Sequence, residues 1–179
     1  MKLNKLIAIA TISLLSGGIS MAQKALNLED IVAGNVIQTK GIGSMTWLKD
    51  GERYSRLENN KQTGGTDIVA YQAKDNSREV IIPSSLLTDK STGKPIPARS
   101  ISWSADNEKV LIYNNTQRVW RYDTRGDYWV LNLKDGALRQ LGKGMPESSM
   151  MFAKFSPDGT RAAYVSNNNI YVEDIDSGK

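Results

Sequence analysis

The 179-residue sequence contains neither histidine nor cysteine. Without histidine, the chain cannot build a Ser-His-Asp or Cys-His catalytic arrangement from its own residues. The same two absences exclude the usual zinc sites and any disulfide bond. The phosphate-binding motifs GxxxxGK[ST] and GxGxxG are absent as well. We therefore expect no metal site, no cofactor and no catalytic residue in this chain.

The charge of the chain is only mildly basic, with a formal net charge of +4. Two of the positive charges, Lys2 and Lys5, belong to the N-terminal stretch 1–22, and without them the net charge falls to +2. Domains that bind nucleic acids usually show a stronger and more clustered basic bias. The sequence therefore predicts no nucleic-acid partner.

The N-terminal sequence MKLNKLIAIATISLLSGGISMAQ has the layout of a secretory signal peptide. Its lysines precede an apolar run at 6–15, and small residues occupy the −3 and −1 positions of a cut before Gln23. A membrane anchor is the alternative interpretation, but the apolar run is short for a membrane span. We predict a signal peptide at 1–22, an exported protein that is periplasmic or secreted, and no integral membrane segment after cleavage.

Three segments of the sequence align with one another as repeats. They are SMTWLKDGERYSRLE (44–58), SISWSADNEKVLIYN (100–114) and MFAKFSPDGTRAAYV (151–165). Each has an aromatic residue, an aspartate three positions later, and then glycine or asparagine, which are the residue types that tight turns favour. Each segment therefore predicts a strand, a turn and a second strand. The carboxylates of the sequence are interpreted as turn-forming or solvated side chains.

A second set of segments also aligns: DIVAYQAKD (67–75), DYWVLNLKD (127–135) and NIYVEDIDS (169–177). Each is rich in β-forming residues and leads into a turn. The first two are followed by a further run, REVII (78–82) and ALRQL (137–141). The anchor aromatics of the repeats lie 56 and 52 residues apart. Repeated units of four antiparallel strands predict an all-β fold, an incomplete β-propeller, with a β-sandwich as the alternative.

The repeats also predict how the chain is divided. We expect blades at about 43–82, 99–142 and 150–179, within a propeller region that spans 43–179. A leading segment at 23–42 precedes that region. Because the third repeat has only three predicted strands, we expect about three blades with the third cut short, and an N-terminal piece of a longer protein.

The segment between the second and third predicted strands is longest in the middle repeat. Its additional residues, NNTQRVWRYDTRG (114–126), include Trp120 and the arginines Arg118, Arg121 and Arg125. We interpret this segment as a loop, and loops on a rigid scaffold often carry function. Tryptophan and arginine are also common anchors of recognition sites. The alternative is a tryptophan packed between blades, with solvated arginines around it.

Several stretches resemble one family of exported peptidases. FSPDGTRAAYVSNNNIYVEDIDSG (155–178) looks like a propeller blade of the SPDG type. LNLEDIVAGNV (26–36), followed by GIGSMTWLKDGERY (41–54), resembles the start of bacterial dipeptidyl peptidase IV. VWRYDTRGDYWVLNL (119–133) and YVSNNNIYV (164–172) resemble later parts of the same family. The resemblance extends from about Leu26 to the last residue.

The resemblance implies a serine exopeptidase that releases X-Pro or X-Ala dipeptides from peptide N-termini. In this family a propeller is joined to an α/β-hydrolase domain that supplies the catalytic serine, aspartate and histidine, and the enzymes are homodimers. An arginine that follows a tryptophan contacts the substrate carbonyl. By this resemblance Arg121 and Trp120 are substrate-binding residues, whereas Arg118 and Arg125 are interpreted as solvated charges.

The sequence departs from the family by what it does not contain. Neither the hydrolase domain nor the pair of glutamates that holds the substrate α-amino group is present. We therefore expect this part of the protein to supply scaffold and substrate recognition, and to be inactive as a peptidase alone. The alternative is a non-enzymatic, TolB-like periplasmic propeller that binds a protein partner.

Overall fold

The computed structural model describes residues 27–32, 41 and 43–179. The N-terminal unit contains one short helix in this description, α1 (Leu28–Val32). The predicted signal peptide at 1–22, and most of the leading segment at 23–42, lie outside the described residues. No helix in the described ranges is both long enough and apolar enough to cross a membrane.

The regular secondary structure of the second unit, residues 42–179, consists of antiparallel strands apart from one 3₁₀ turn. The strands are β1 (Met45–Trp47), β2 (Arg53–Asn59), β3 (Thr66–Gln72), β4 (Arg78–Ile82), β5 (Ser100–Trp103), β6 (Lys109–Val119), β7 (Tyr122–Asn132), β8 (Leu138–Gln140), β9 (Met151–Phe155), β10 (Arg161–Ser166) and β11 (Asn169–Asp174). One 3₁₀ turn, Ser84–Leu86, follows β4. The predicted all-β class is confirmed.

The strands form three sheets in which each strand pairs with its neighbour in the sequence. The first sheet has the order β1-β2-β3-β4, the second β5-β6-β7-β8, and the third has three strands in the order β9-β10-β11. Four-stranded meanders that follow one another along the chain are the blades of a β-propeller. The third blade has only three strands within the described part of the chain, as the repeats predict.

Two apolar clusters hold the three sheets together. The cluster between the first and second blades contains Ile68, Ile82, Leu87, Ile96, Val110, Ile112 and Leu131. The cluster between the second and third blades contains Leu111, Tyr128, Val130, Leu141, Met150, Ala162, Tyr164 and Ile175. Because successive residues of a strand point to opposite faces, the middle blade contributes to both clusters and is buried on both sides.

The predicted anchor aromatics do not share one environment. Trp103 is half-buried against the first cluster, and its indole Nε1 donates a hydrogen bond to Ser55 Oγ of the first blade at 2.9 Å. Phe155 packs against the second cluster. Trp47 in the first blade is 55% exposed. The aromatic position therefore joins a blade to the preceding blade in two of the three repeats.

The aspartate of each repeat lies in a tight turn, as the sequence predicts. The residue that follows it has a positive φ in all three blades, 70° at Gly51, 60° at Asn107 and 68° at Gly159. In the third blade the amide of Gly159 donates to the carbonyl of Ser156 at 2.9 Å, which places Pro157 at the second position of the turn.

Two of these turn carboxylates are unusually acidic. The pKa of Asp106 falls to about 2, mainly because the hydroxyl of Ser104 donates to it and also because the amide of Glu108 does. The pKa of Asp158 falls to about 2 in the same way, through the hydroxyl of Ser156 first and then the amide of Thr160. The folded chain therefore stabilises the ionised form of each aspartate more than the unfolded chain does.

The acid stability of the blades should follow from these two turns. Since the folded pKa lies below the reference value of 3.8, the stabilisation is present above about pH 4 and is lost as the pH falls towards about 2. Urea unfolding midpoints over this range should therefore decrease with decreasing pH. We expect Asp158→Asn and Ser156→Ala each to flatten that decrease. An Asp158→Asn variant with the same pH dependence as the wild type would contradict this assignment.

Candidate functional site

The segment predicted as a loop at 114–126 is instead a two-stranded ribbon, and the loop prediction is wrong. Strands β6 and β7 continue beyond the sheet and stay paired up to Val119 and Tyr122. The pairing register shifts on either side of Gln117, which adds twist to the ribbon. We call residues 114–126 the arm. The segment contains no proline and many β-forming residues, so nothing in it ends the strands early.

Tyr113 fixes the base of the arm. Its single hydroxyl proton is shared between the carbonyl oxygens of Asp123 at 3.0 Å and Arg125 at 2.8 Å, both in the returning strand. Its ring stacks on Tyr128 with 4.7 Å between the ring centroids. Burial is the main cause that raises the pKa of Tyr113 to about 12, so the hydroxyl keeps its proton and remains a donor at every physiological pH.

A buried carboxylate, Asp127, ties the arm to the segment that leads to the third blade. Its Oδ1 accepts from the amide of Ser148 at 2.8 Å, and its Oδ2 accepts from Asn115 Nδ2 at 2.7 Å. Ser148 Oγ also donates to the carbonyl of Asn115 at 2.6 Å. Three connected hydrogen bonds therefore hold the outgoing strand of the arm in place.

The first blade repeats this contact. Asp67 Oδ1 accepts from the amide of Ser84 at 2.7 Å, and Oδ2 accepts from Asn60 Nδ2 at 3.0 Å. The amide of Ser84 is the main cause that lowers the pKa of Asp67. Both Asp67 and Asp127 are buried, so the interpretation of the carboxylates as turn-forming or solvated is wrong for these two. Their shared place at the head of the aligned third strands was the signal that could have found them.

Trp120 and Arg121, the two predicted site residues, form the turn at the tip of the arm. Trp120 has a φ of 63° and its side chain is 94% exposed. A positive φ at the first turn residue of a two-residue hairpin loop normally selects glycine, and for a bulky side chain it marks backbone strain at the tip. Arg121 is exposed as well. The alternative of a tryptophan packed between blades is therefore wrong.

A cleft of about 510 Å³ opens beside the arm. Its charged and aromatic lining consists of Arg99, Tyr113, Arg118, Arg121, Tyr122 and Asp123. Arg99 Nε lies 3.3 Å from Asp123 Oδ2, and this pair joins the residue before β5 to the returning strand of the arm. Arg118 Nη2 donates a long hydrogen bond, 3.5 Å, to the carbonyl of Arg121.

The structure thus places Arg118 in the same cleft as Arg121, whereas Arg125 does not line it. The sequence does not indicate that Arg99 belongs to this site. It lies 22 positions before Arg121 in the chain, and no local pattern connects the two positions. In the described ranges, no group of three or more acidic residues could hold a metal ion.

A match to a known protein family includes the arm. Residues 104–179 match the family model described as the dipeptidyl peptidase IV (DPP IV) N-terminal region. This part of the chain is therefore similar to a dipeptidyl peptidase IV N-terminal region. The match contains the second blade from Ser104 onward, the arm and the third blade. The resemblance seen in the sequence is thereby confirmed.

The dipeptidyl peptidase relatives are much longer than this chain. A protein of Aspergillus terreus described as a probable dipeptidyl-aminopeptidase B is 24% identical over 173 residues, which is 92% of this chain and 19% of the relative. A protein of Neosartorya fischeri with the same description is 31% identical over 85 residues, 48% of this chain and 9% of the relative. The chain therefore spans less than a fifth of either relative.

A solved structure supports the propeller fold. The crystal structure of Porphyromonas gingivalis dipeptidyl peptidase 4 superposes with a TM-score of 0.68 and 21% sequence identity, over 88% of this chain and 21% of that chain. At this identity the likeness concerns the fold. Together with the three sheets, it confirms the fold as an incomplete β-propeller.

Proposed function

We propose that this chain is the substrate-recognition part of a serine exopeptidase of the dipeptidyl peptidase IV type. The enzyme would remove X-Pro or X-Ala dipeptides from the N-termini of peptides, and a hydrolase domain outside this chain would perform the chemistry. The protein would be exported through the signal peptide at 1–22. The observation that carries the proposal is the arm, with Trp120 and Arg121 at its exposed tip.

The structure of the arm suits a residue that must hold a ligand. Arg121 has no ion-pair partner within the described part of the chain, so its guanidinium donors are available. A guanidinium presents several donors in a fixed plane and can bind a peptide carbonyl oxygen directionally. The exposed ring of Trp120 adds apolar surface beside it. Tyr113 and Asp127 hold the base of the arm, which limits the entropy lost when a ligand binds.

The test is hydrolysis of Gly-Pro and Ala-Pro chromogenic amides by the longer protein that contains this chain. We expect both amides to be cleaved. We expect Arg121→Ala to reduce kcat/KM roughly 5- to 150-fold, which corresponds to a loss of about 1–3 kcal/mol of transition-state stabilisation, because a charge-assisted hydrogen bond to the substrate is lost. Arg121→Lys should restore only part of the loss, since an ammonium lacks the planar fork.

Arg125→Ala is the matched control, because Arg125 lies in the same arm and outside the cleft. An unchanged kcat/KM in Arg121→Ala would remove Arg121 from substrate recognition. No cleavage of either amide by the longer protein would overturn the peptidase proposal and favour the non-enzymatic alternative.

A further inference from the structure

We propose that the cleft beside the arm binds a carboxylate group of the peptide substrate, so that acidic peptides are preferred over their neutral counterparts. This inference rests on the proposed function and adds a substrate class to it. The carboxylate belongs either to an acidic side chain of the peptide or to its C-terminus, and the experiment below separates these two sources.

The charges of the cleft are out of balance. Three guanidinium groups, those of Arg99, Arg118 and Arg121, line it together with the single carboxylate of Asp123. That carboxylate is already engaged by Arg99 at 3.3 Å. Neither Arg118 nor Arg121 has an ion-pair partner in the described ranges. Two cations therefore remain without a counter-charge in one concave site, which favours an anionic ligand.

The donors of the cleft match a carboxylate in geometry as well as in charge. Guanidinium groups form paired, parallel hydrogen bonds with carboxylate oxygens. Ser44 and Ser100 also line the cleft, and a serine hydroxyl can act as a further donor. The volume of about 510 Å³ is in the range of sites for small ligands, and it is large enough for one or two peptide residues.

The backbone that carries the cations of the arm is held in place before any ligand arrives. The two hydrogen bonds from the Tyr113 hydroxyl fix the returning strand, and the Arg99–Asp123 pair fixes the same strand from the side of β5. Arg118 donates to the carbonyl of Arg121, across the turn of the arm. Because the arm is braced in this way, binding an anion costs less ordering entropy than it would in a mobile loop.

A peptide is the expected source of the anion because Arg121 belongs to both sites. The guanidinium that would hold the substrate carbonyl is also part of the cleft lining. A peptide bound to Arg121 therefore places its adjacent groups near Arg118 and Arg99. A carboxylate among those groups would supply the counter-charge that the cleft lacks.

The experiment compares two matched pairs of substrates with the longer protein that contains this chain. The first pair is Glu-Pro and Gln-Pro chromogenic amide, which differ only in the side-chain charge. The second pair is the peptide Ala-Pro-Ala as free acid and as C-terminal amide. We expect kcat/KM to be about fivefold higher for the acidic member of at least one pair, as for an ion pair at a partly exposed site. The pair that shows the preference identifies the source of the carboxylate.

The acidic-to-neutral ratio of kcat/KM is also measured in two variants and at two salt concentrations. Arg118→Gln should bring the acidic-to-neutral ratio of kcat/KM close to one, whereas Arg125→Gln, on the same arm but outside the cleft, should retain the wild-type ratio. Raising NaCl from about 0.05 M to about 0.5 M should also reduce the ratio, since exposed charges are screened.

The outcomes separate this inference from the proposed function. Equal kcat/KM for both members of both pairs, with Arg121→Ala still impaired, would overturn the carboxylate site alone. A preference that persists unchanged in Arg118→Gln would overturn it as well. If none of the four substrates is cleaved, the proposed function fails and the carboxylate site fails with it.

Discussion

Replacing Leu131 with alanine should lower the free energy of unfolding of the chain by about 3–5 kcal/mol, the usual cost of a cavity left by a fully buried leucine. The side chain of Leu131 has no solvent exposure and lies in the cluster between the first and second blades. Because it belongs to the middle blade, its loss weakens the contact through which two blades stabilise one another. Urea unfolding followed by tryptophan fluorescence measures the effect.

Leu133 provides a control two residues further along. It lies just beyond the end of β7 and is 38% exposed. Leu133→Ala should therefore change the unfolding free energy by no more than about 0.5 kcal/mol. Equal losses in the two variants would show that burial between the blades is not what makes Leu131 important.

Gly126→Ala should destabilise the chain by about 2–3 kcal/mol, because the added methyl group has no space to occupy. A Cβ at this position would clash with Tyr113 Cε2 and would lie 2.7 Å from the carbonyl oxygen of Asn114. The second contact is with backbone, so a change of rotamer cannot relieve it. Gly126 also exchanges two backbone hydrogen bonds with Met150, and a shift away from the clash would disturb both.

The Gly126 variant has a functional consequence that Leu131→Ala lacks. Displacement of Tyr113 frees the base of the arm, so kcat/KM of the longer protein should fall even under conditions where the variant is still folded. Gly41→Ala is the control, since no atom of the described part of the chain lies within 4 Å of a Cβ at that position. If Gly126→Ala were as stable as Gly41→Ala, the close packing of Tyr113 against the backbone would be refuted.

Local patterns predict the blades well because each blade is built from neighbours in the sequence. The turn at Asp158 is formed by Ser156, Thr160 and Gly159, all within a few residues. Strands joined by such turns pair with one another, so one aligned repeat is sufficient to predict a sheet. The three-stranded third blade follows from the same local information.

The arm and its supports depend on contacts that no local pattern reveals. Asp127 is buried because it meets the amide of Ser148, 21 residues away, and Asp123 meets Arg99 across 24 residues. The sequence between the second and third strands of the middle blade shows only that residues have been added. Whether such residues form a loop or extend the strands depends on whether the outgoing and returning segments pair with one another. Here β6 and β7 pair up to Val119 and Tyr122, and the turn at Trp120 connects them.

The contact made by Asp67 and Asp127 also bears on how such a chain can grow in evolution. In both cases the carboxylate binds an amide of the segment that directly follows its own blade: Asp67 binds Ser84, and Asp127 binds Ser148. A gene duplication that copies one blade together with the segment after it therefore copies both partners of the bond. The added copy would then need compatible apolar faces and a few polar contacts to the neighbouring blade, such as the hydrogen bond from Trp103 to Ser55 Oγ.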